Sequence, residues 1–342
     1  MFGPKLHIKK DNGIFFRIFL AFLLFAGSLS AQQTEVVAEK GEGIYRLLIR
    51  NGYAYPRDLE AFIELNRERL GPGNTLYAGR KYQLPSKTGE TKTEANATIR
   101  RFEIFGKEYA DVEVIDKRLK GAVYYLVAGH GGPDPGAIGT YGNHKLCEDE
   151  YAYDVTLRLA RNLTQHEATV YMITLDSNDG IRDDSYLKPD KDEVCYPKLK
   201  IPLNQMRRLK QRTDAVNKLF QKNRGSFQRM IAIHVDSRSR GENIDVFFYH
   251  DKRSNTGRKA AGILQKTFQN KYDQHQPGRG YNGTVSNRNL YVVRNTYPVA
   301  IYIELGNINH HRDQQRFIIP SNRQALANWL FEGLLEDYQT NK

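Results

Sequence analysis

Tryptophan is nearly missing from this chain. There is one in 342 residues, beside 21 tyrosines and 16 phenylalanines. That balance points to amphipathic surfaces rather than a thick apolar core, and it excludes a sugar platform of stacked indoles. Cysteine is as scarce. Cys147 and Cys195 leave room for one disulfide at most. In a reducing compartment they would stay free thiols; in an oxidising one pairing is open to them, since both flank the same polar, loop-rich segment. No apolar run reaches the ~20 residues that span a bilayer. No internal repeat is visible. The basic excess, net charge +12, is spread along the chain and is not gathered into a nucleic-acid module, so nucleic acid is not an expected partner. The plain reading of that charge is a solvated basic surface; the sharper one is attraction to an anionic polymer or a membrane surface.

The N-terminus bears on the compartment. Lys5, Lys9, Lys10 and Arg17 precede the apolar run IFLAFLLFA at 18–26, and small residues follow (Gly27, Ser28, Ser30, Ala31). These are the three parts of a secretory signal. Residues 1–31 are therefore read as a signal peptide, the protein as exported to the periplasm or cell envelope, and membrane contact as arising only if that segment stays uncleaved.

Residues 34–85 read as a small α+β unit in the order strand, helix, helix, strand. VVAEK opens it; Ile44, Leu47 and Leu48 recur at helical spacing; residues 58–69 make a second helix with Leu59, Phe62, Ile63 and Asn66 near one face; residues 81–84 close it. Residues 86–101, beginning SKTGETKTEANAT, are polar and without apolar periodicity, and read as a linker. From 102 to 342 the chain forms one larger domain. From Ala122 strand-like and helix-like stretches alternate, which argues an α/β fold with a mixed, mainly parallel sheet flanked by helices. Strands are expected at 122–128, 168–174, 230–234, 245–249 and 299–304, and helices at 148–163, 203–222, 254–270 and 323–338. The polar stretch 175–202 is long for a loop and reads as functional or inserted.

Four residues stand out chemically. His130 sits among glycines directly after an apolar strand, where open α/β sheets bind ligands. Glu148 opens the helix that follows, although Glu148, Asp149 and Glu150 are also what a helix N-terminus favours. His234 emerges from the apolar strand MIAIHVD. Glu304 closes the apolar strand VAIYIE, where a carboxylate needs a cation, a hydrogen-bond network or a raised pKa. Each has a plain structural explanation on its own. Together, two histidines and a carboxylate form the donor set of a hydrolytic zinc site with one position left for water, and a further glutamate can act as general base.

The segments AGHGGPDPGAIG, LCEDEYAYDVTLRLA, LKQRTDAVN, IAIHVD, LYVVRNTYPVAIYIELGNINHHRD and LANWLFEGLLEDY, in that order over about 121–340, resemble the zinc-dependent N-acetylmuramoyl-L-alanine amidase family. The N-terminal unit resembles a LysM carbohydrate-binding module. The resemblance implies Zn²⁺ held by His130, Glu148 and His234, Glu304 as the catalytic glutamate, and Arg294 as an arginine near the active site. It implies peptidoglycan as substrate, cut between N-acetylmuramic acid and L-alanine in wall remodelling or daughter-cell separation. Some relatives are restrained by a segment over the site and need a protein activator, a part that residues 175–202 are placed to play. Three departures matter. Val127-Ala128 replaces the usual Asp-Pro before the histidine, Val235-Asp236 follows His234, and 175–202 is longer than typical. Glu150 is a rival to Glu148; counting back twelve residues from Ala160 favours Glu148. His144, His250, His275, His310 and His311 are read as ordinary polar residues. The same donor set also suits another zinc hydrolase of wall peptides or sugars. A catalytically inactive wall-binding or activator protein is the non-enzyme alternative, and the intact four-residue constellation argues against it.

Overall fold

The computed structural model describes residues 34–39, 42–53, 58–71, 74–86, 98–237 and 245–342. The expected signal peptide, and residues 87–97 of the expected linker, lie outside that range. Among the described residues no helix is long and apolar enough to cross a membrane.

The N-terminal unit runs β1 (Glu35–Val37), α1 (Ile44–Arg50), α2 (Leu59–Leu65) and β2 (Lys81–Gln83), with β1 and β2 paired antiparallel. The expected order is the observed one. It has its own core, in which Leu47, Leu48, Phe62 and Tyr82 are fully buried. Asn66 is buried too, and its amide bonds the Phe62 carbonyl and both backbone groups of Gln83, so the polar member of the helical face ties α2 to β2.

Residues 99–101, expected as the end of the linker, are instead a strand, β3 (Ile99–Arg101), paired antiparallel with β4 (Asp111–Glu113). All three residues of β3 are exposed. The strand therefore carries no apolar alternation by which a sequence pattern could reveal it.

The large domain is built on a six-stranded sheet. It contains β5 (Ala122–Ala128), then the hairpin β6 (Ile138–Tyr141) and β7 (His144–Cys147), and α3 (Glu148–Gln165). Next come β8 (Thr169–Met172), a small three-stranded sheet of β9 (Thr174–Leu175), β10 (Val194–Cys195) and β11 (Leu199–Lys200), and α4 (Gln205–Lys222). The chain continues with β12 (Phe227–Asp236), β13 (Phe247–His250), α5 (Asn255–His275), β14 (Val285–Asn287), α6 (Tyr291–Asn295), β15 (Val299–Asn307), α7 (His311–Ile318) and α8 (Pro320–Asn341). The sheet order is β14-β13-β15-β12-β5-β8; β8, β5, β12 and β15 run parallel, and β13 is antiparallel to β15. This is the mixed, mainly parallel sheet the alternation predicts.

Both faces are covered, as a largely parallel sheet requires. On one face Ile231, Ile233, Ile301 and Ile303 pack with α3, α5 and α8. On the other Val123, Tyr125, Met230 and Ala232 pack with Val216 and Leu219 of α4 and Val292 and Val293 of α6. The three central strands end on the same edge, and every candidate residue but Arg294 lies at or just beyond that edge.

Candidate active site

The carboxyl end of β5 delivers Gly129 and His130. His130 has φ +60°, a left-handed conformation that costs a non-glycine residue ~1–3 kcal/mol and collects at functional sites. Arg212, buried on α4, donates to the His130 carbonyl. The His130 ring is fixed from behind: Nδ1 pairs with Asp134 Oδ2 at 2.9 Å, and that same oxygen accepts from Arg208 Nη2 at 2.5 Å.

Glu148 is the first residue of α3, at the positive end of the helix dipole. It is 4% exposed and its two oxygens are shared among four groups. Oε2 lies 3.2 Å from His130 Nε2 and accepts the Ala137 N–H at 2.8 Å. Oε1 lies 2.9 Å from His234 Nδ1 and accepts the Val235 N–H at 3.0 Å. The imidazoles of 130 and 234 have centroids 5.0 Å apart. One donor atom from each of His130, Glu148 and His234 lies within 4.8 Å of the other two. The structure therefore brings together the three residues expected to ligate a metal. Glu150, the rival, turns instead toward Arg182, 3.0 Å from Nη1.

Space around the cluster is kept by glycine. A Cβ on Gly129 would stand 2.4 Å from His234 Nδ1, and one on Gly136 would stand 2.7 Å from Glu148 Oε2 and from the His130 ring. Such close approach is open only to a residue without a side chain.

Glu304 faces His234 across the parallel β12–β15 pair. Tyr302, two residues back on the same face, stacks on the His234 ring at 4.3 Å. Glu304 is buried, and its Oε2 has no hydrogen-bond partner. Burial, with the charges of Glu148 and Asp236 added, pushes its carboxyl well above the usual range; Tyr302 and Arg288 pull the other way. Burial opposes charge on His130 as well, but its bonds to Asp134 and Glu148 prevail and raise it to about 9. His234 is lowered by burial first, and by the charges of His130 and Arg212. Burial would raise Glu148, yet its two histidine partners hold it well below the carboxylate range. A compact set of two imidazoles and an ionised carboxylate, beside an orphaned carboxylate oxygen, has the donor chemistry of a hydrolytic zinc centre.

Arg294 is not brought into this cluster. It lies in the last turn of the short helix α6 with its guanidinium exposed, bonding Asn289 Oδ1 at 3.2 Å, and its carbonyl accepts from Arg253. The arginine whose charge reaches Glu304 is Arg288, which also lies 5.2 Å from the Tyr249 ring centre. Both cysteines are buried free thiols.

Sequence reasoning missed Asp134, Arg208 and Arg212. The available signal for Asp134 is its place four residues after His130 in the same tight loop. An outer residue that orients a ligating histidine is worth about 10–100-fold in metal affinity. Asp134→Ala is expected to weaken zinc binding by that factor, read by competition with a chromophoric chelator; unchanged affinity would remove the orienting role.

Residues 125–336 match the family model described as N-acetylmuramoyl-L-alanine amidase. The "Probable cell wall amidase LytH" of Staphylococcus aureus is 26% identical over 223 residues, which is 63% of this chain and 58% of that protein. The chain thus matches over less than two thirds of the length of that relative. Among solved structures, the catalytic domain of CwlV, an N-acetylmuramoyl-L-alanine amidase from Bacillus (Paenibacillus) polymyxa var. colistinus, is similar at 20% identity and TM-score 0.45, over 65% of this chain and 99% of that one. AmiC2 of Nostoc punctiforme is similar at 18% identity and TM-score 0.46, over 64% and 98%.

Proposed function

Because the chain belongs to the N-acetylmuramoyl-L-alanine amidase family, we propose that it is a zinc-dependent hydrolase cutting the amide between N-acetylmuramic acid and L-alanine in peptidoglycan. The observation that supports this most is the convergence of His130, Glu148 and His234 on one point beside the Glu304 carboxylate, whose Oε2 has no hydrogen-bond partner. Zinc held by those three would acidify the attacking water and polarise the scissile carbonyl.

The chain's own residues supply the rest. Asp134 and Arg208 hold the His130 ring in place. Tyr302 stacks flat on His234 and fixes its plane. Glu304 takes a proton from the water as the water oxygen bonds to the amide carbon. It returns that proton to the nitrogen of L-alanine as the carbon–nitrogen bond breaks. A buried carboxyl with one free oxygen beside the donor cluster is placed both to take that proton and to return it. Stabilising the oxyanion from Arg294 would require its exposed guanidinium to swing inward with substrate; Arg288 is the cation already felt at Glu304.

In this reading residues 34–85 hold the enzyme on the wall as a LysM-like module, and residues 1–31 direct export. The segment 175–202 is fastened rather than laid loosely over the site. Arg158 and Arg323, both buried, each donate to the Arg182 carbonyl at 2.7 Å, and Arg323 also bonds the Asp184 carbonyl at 2.9 Å. That anchorage favours a fixed cleft wall over a flap released by an activator.

Purified walls digested by the full chain should yield intact stem peptides freed from lactyl groups, by mass spectrometry. A chelator should stop the release and zinc restore it. Cuts inside the peptide, or loss of acetyl groups alone, would assign the site to another zinc hydrolase. His234→Ala should reduce bound zinc from about one per chain to near zero by elemental analysis; full zinc content in that variant would remove His234 from the donor set.

A further inference from the structure

A second acidic cluster adjoins the start of α3 and takes no part in the hydrolytic reading. Asp149, Glu150 and Glu193 bring one carboxylate oxygen each to within 4.8 Å of the others. All three are buried, at 2%, 3% and 6% exposure. Their bonds account for only part of their oxygens. Asp149 Oδ1 accepts the Glu150 N–H at 3.0 Å, Glu150 Oε1 accepts the Asp190 N–H at 3.2 Å, and Glu193 Oε2 accepts the Gly132 N–H at 2.6 Å. Arg182 reaches Glu150 Oε2 but also serves Asp179. Asp149 Oδ2 is buried among these acids with no partner at all.

A buried carboxyl oxygen left without a hydrogen-bond partner costs free energy that a bound cation would recover. Arg182 is the cation bonded to the trio, and it is shared with Asp179. The donors are all oxygen, with no imidazole or thiolate, which selects a hard cation over zinc. Magnesium keeps its water and commonly binds through one or two carboxylates, whereas calcium accepts many oxygens in flexible geometry. We propose that Asp149, Glu150 and Glu193 bind a calcium ion that fastens the segment 175–202 to the start of α3. Glu193 belongs to that segment, so the ion joins it to the start of α3 beside the hydrolytic site, and Glu193 in turn accepts the Gly132 N–H of the loop behind His130. The nearby trio Asp176, Asp179 and Asp190 is more fully engaged: Asp176 Oδ1 accepts two backbone N–H groups and Asp179 pairs with Arg182. It adds negative field and is not the proposed site.

The test uses the full chain, loaded with zinc and dialysed into calcium-free buffer. Calorimetric titration with calcium chloride should show saturable binding of about one ion per chain, with Kd of about 10⁻³ M or tighter. Saturating calcium should raise Tm by roughly 3–8 °C and slow trypsin cleavage at Lys188, Lys191 and Lys198. Asp149→Asn should abolish the calcium response while keeping its zinc. It should be as stable as the parent in calcium-free buffer, because the amide keeps the side chain's shape and the Oδ1 that accepts the Glu150 N–H; that control separates lost binding from misfolding. Glu193→Gln should behave the same way. The proposal is overturned by no heat and no Tm shift up to about 10 mM calcium, by an Asp149→Asn variant that responds like the parent, or by magnesium matching calcium at equal concentration.

Discussion

Glu304→Gln is expected to keep its zinc and lose about 10²–10⁴-fold in turnover, the range that a positioned general base contributes. The substitution keeps shape and size and removes only the charge and the ability to carry a proton. Stability should hold or rise, since the carboxylate is buried, one oxygen is unpartnered, and Glu148 and Asp236 both repel it. A drop in rate with unchanged Tm therefore separates proton transfer from folding. Peptide release from purified walls gives the rate, and elemental analysis the metal. Activity within tenfold of the parent would show that the proton goes elsewhere.

The second large effect is on stability. Asp154 is fully buried on α3 between two buried arginines, 2.7 Å from Arg158 Nε and 2.6 Å from Arg323 Nε, and its other oxygen accepts the Arg182 N–H at 2.8 Å. Burial would raise its carboxyl, but the two guanidinium groups hold it down at about 2. Asp154→Asn leaves two buried cations facing each other with Asp183 as the remaining anion, 2.9 Å from Arg158. Breaking a buried ion pair from one side costs about 3–5 kcal/mol. The urea midpoint should fall accordingly, and residues 182–184, held by the same arginines, should become sensitive to protease first. A loss under about 1 kcal/mol would show that the arginines find other partners.

What could be read from the sequence divides along physical lines. The strand Ala122–Ala128 is a closed apolar run, and its boundaries are the observed ones. The start of α3 at Glu148 was legible from its acidic first turn and apolar periodicity. β12 and β15 each extend past their apolar stretches, to Asp236 and Asn307, because hydrogen bonding continues where side-chain patterning stops. The β6–β7 hairpin was missed although Gly142-Asn143 is a hairpin turn signal; only Gly139, Leu146 and Cys147 of its eight residues are buried, so it shows little alternation.

The site followed the same rule. His130, His234 and Glu304 were findable because polar side chains at the ends of apolar strands are anomalous wherever they occur. Asp134 was not, because its role depends on the left-handed turn at His130. Arg208 and Arg212 were not, because they approach from α4, some 80 residues along the chain. Arg294 was expected near Glu304 through the family likeness alone; a short helix leaves it at the exposed end, and nothing local in its sequence distinguishes the two outcomes.

The central claim is that one divalent ion sits among His130, Glu148 and His234. Anomalous scattering from crystals of the zinc-loaded chain, collected on either side of the zinc edge, tests it directly. The account predicts a single strong peak between those three side chains, with the Glu304 carboxylate beside it. A folded chain with no peak there, or with the peak among other residues, would contradict it.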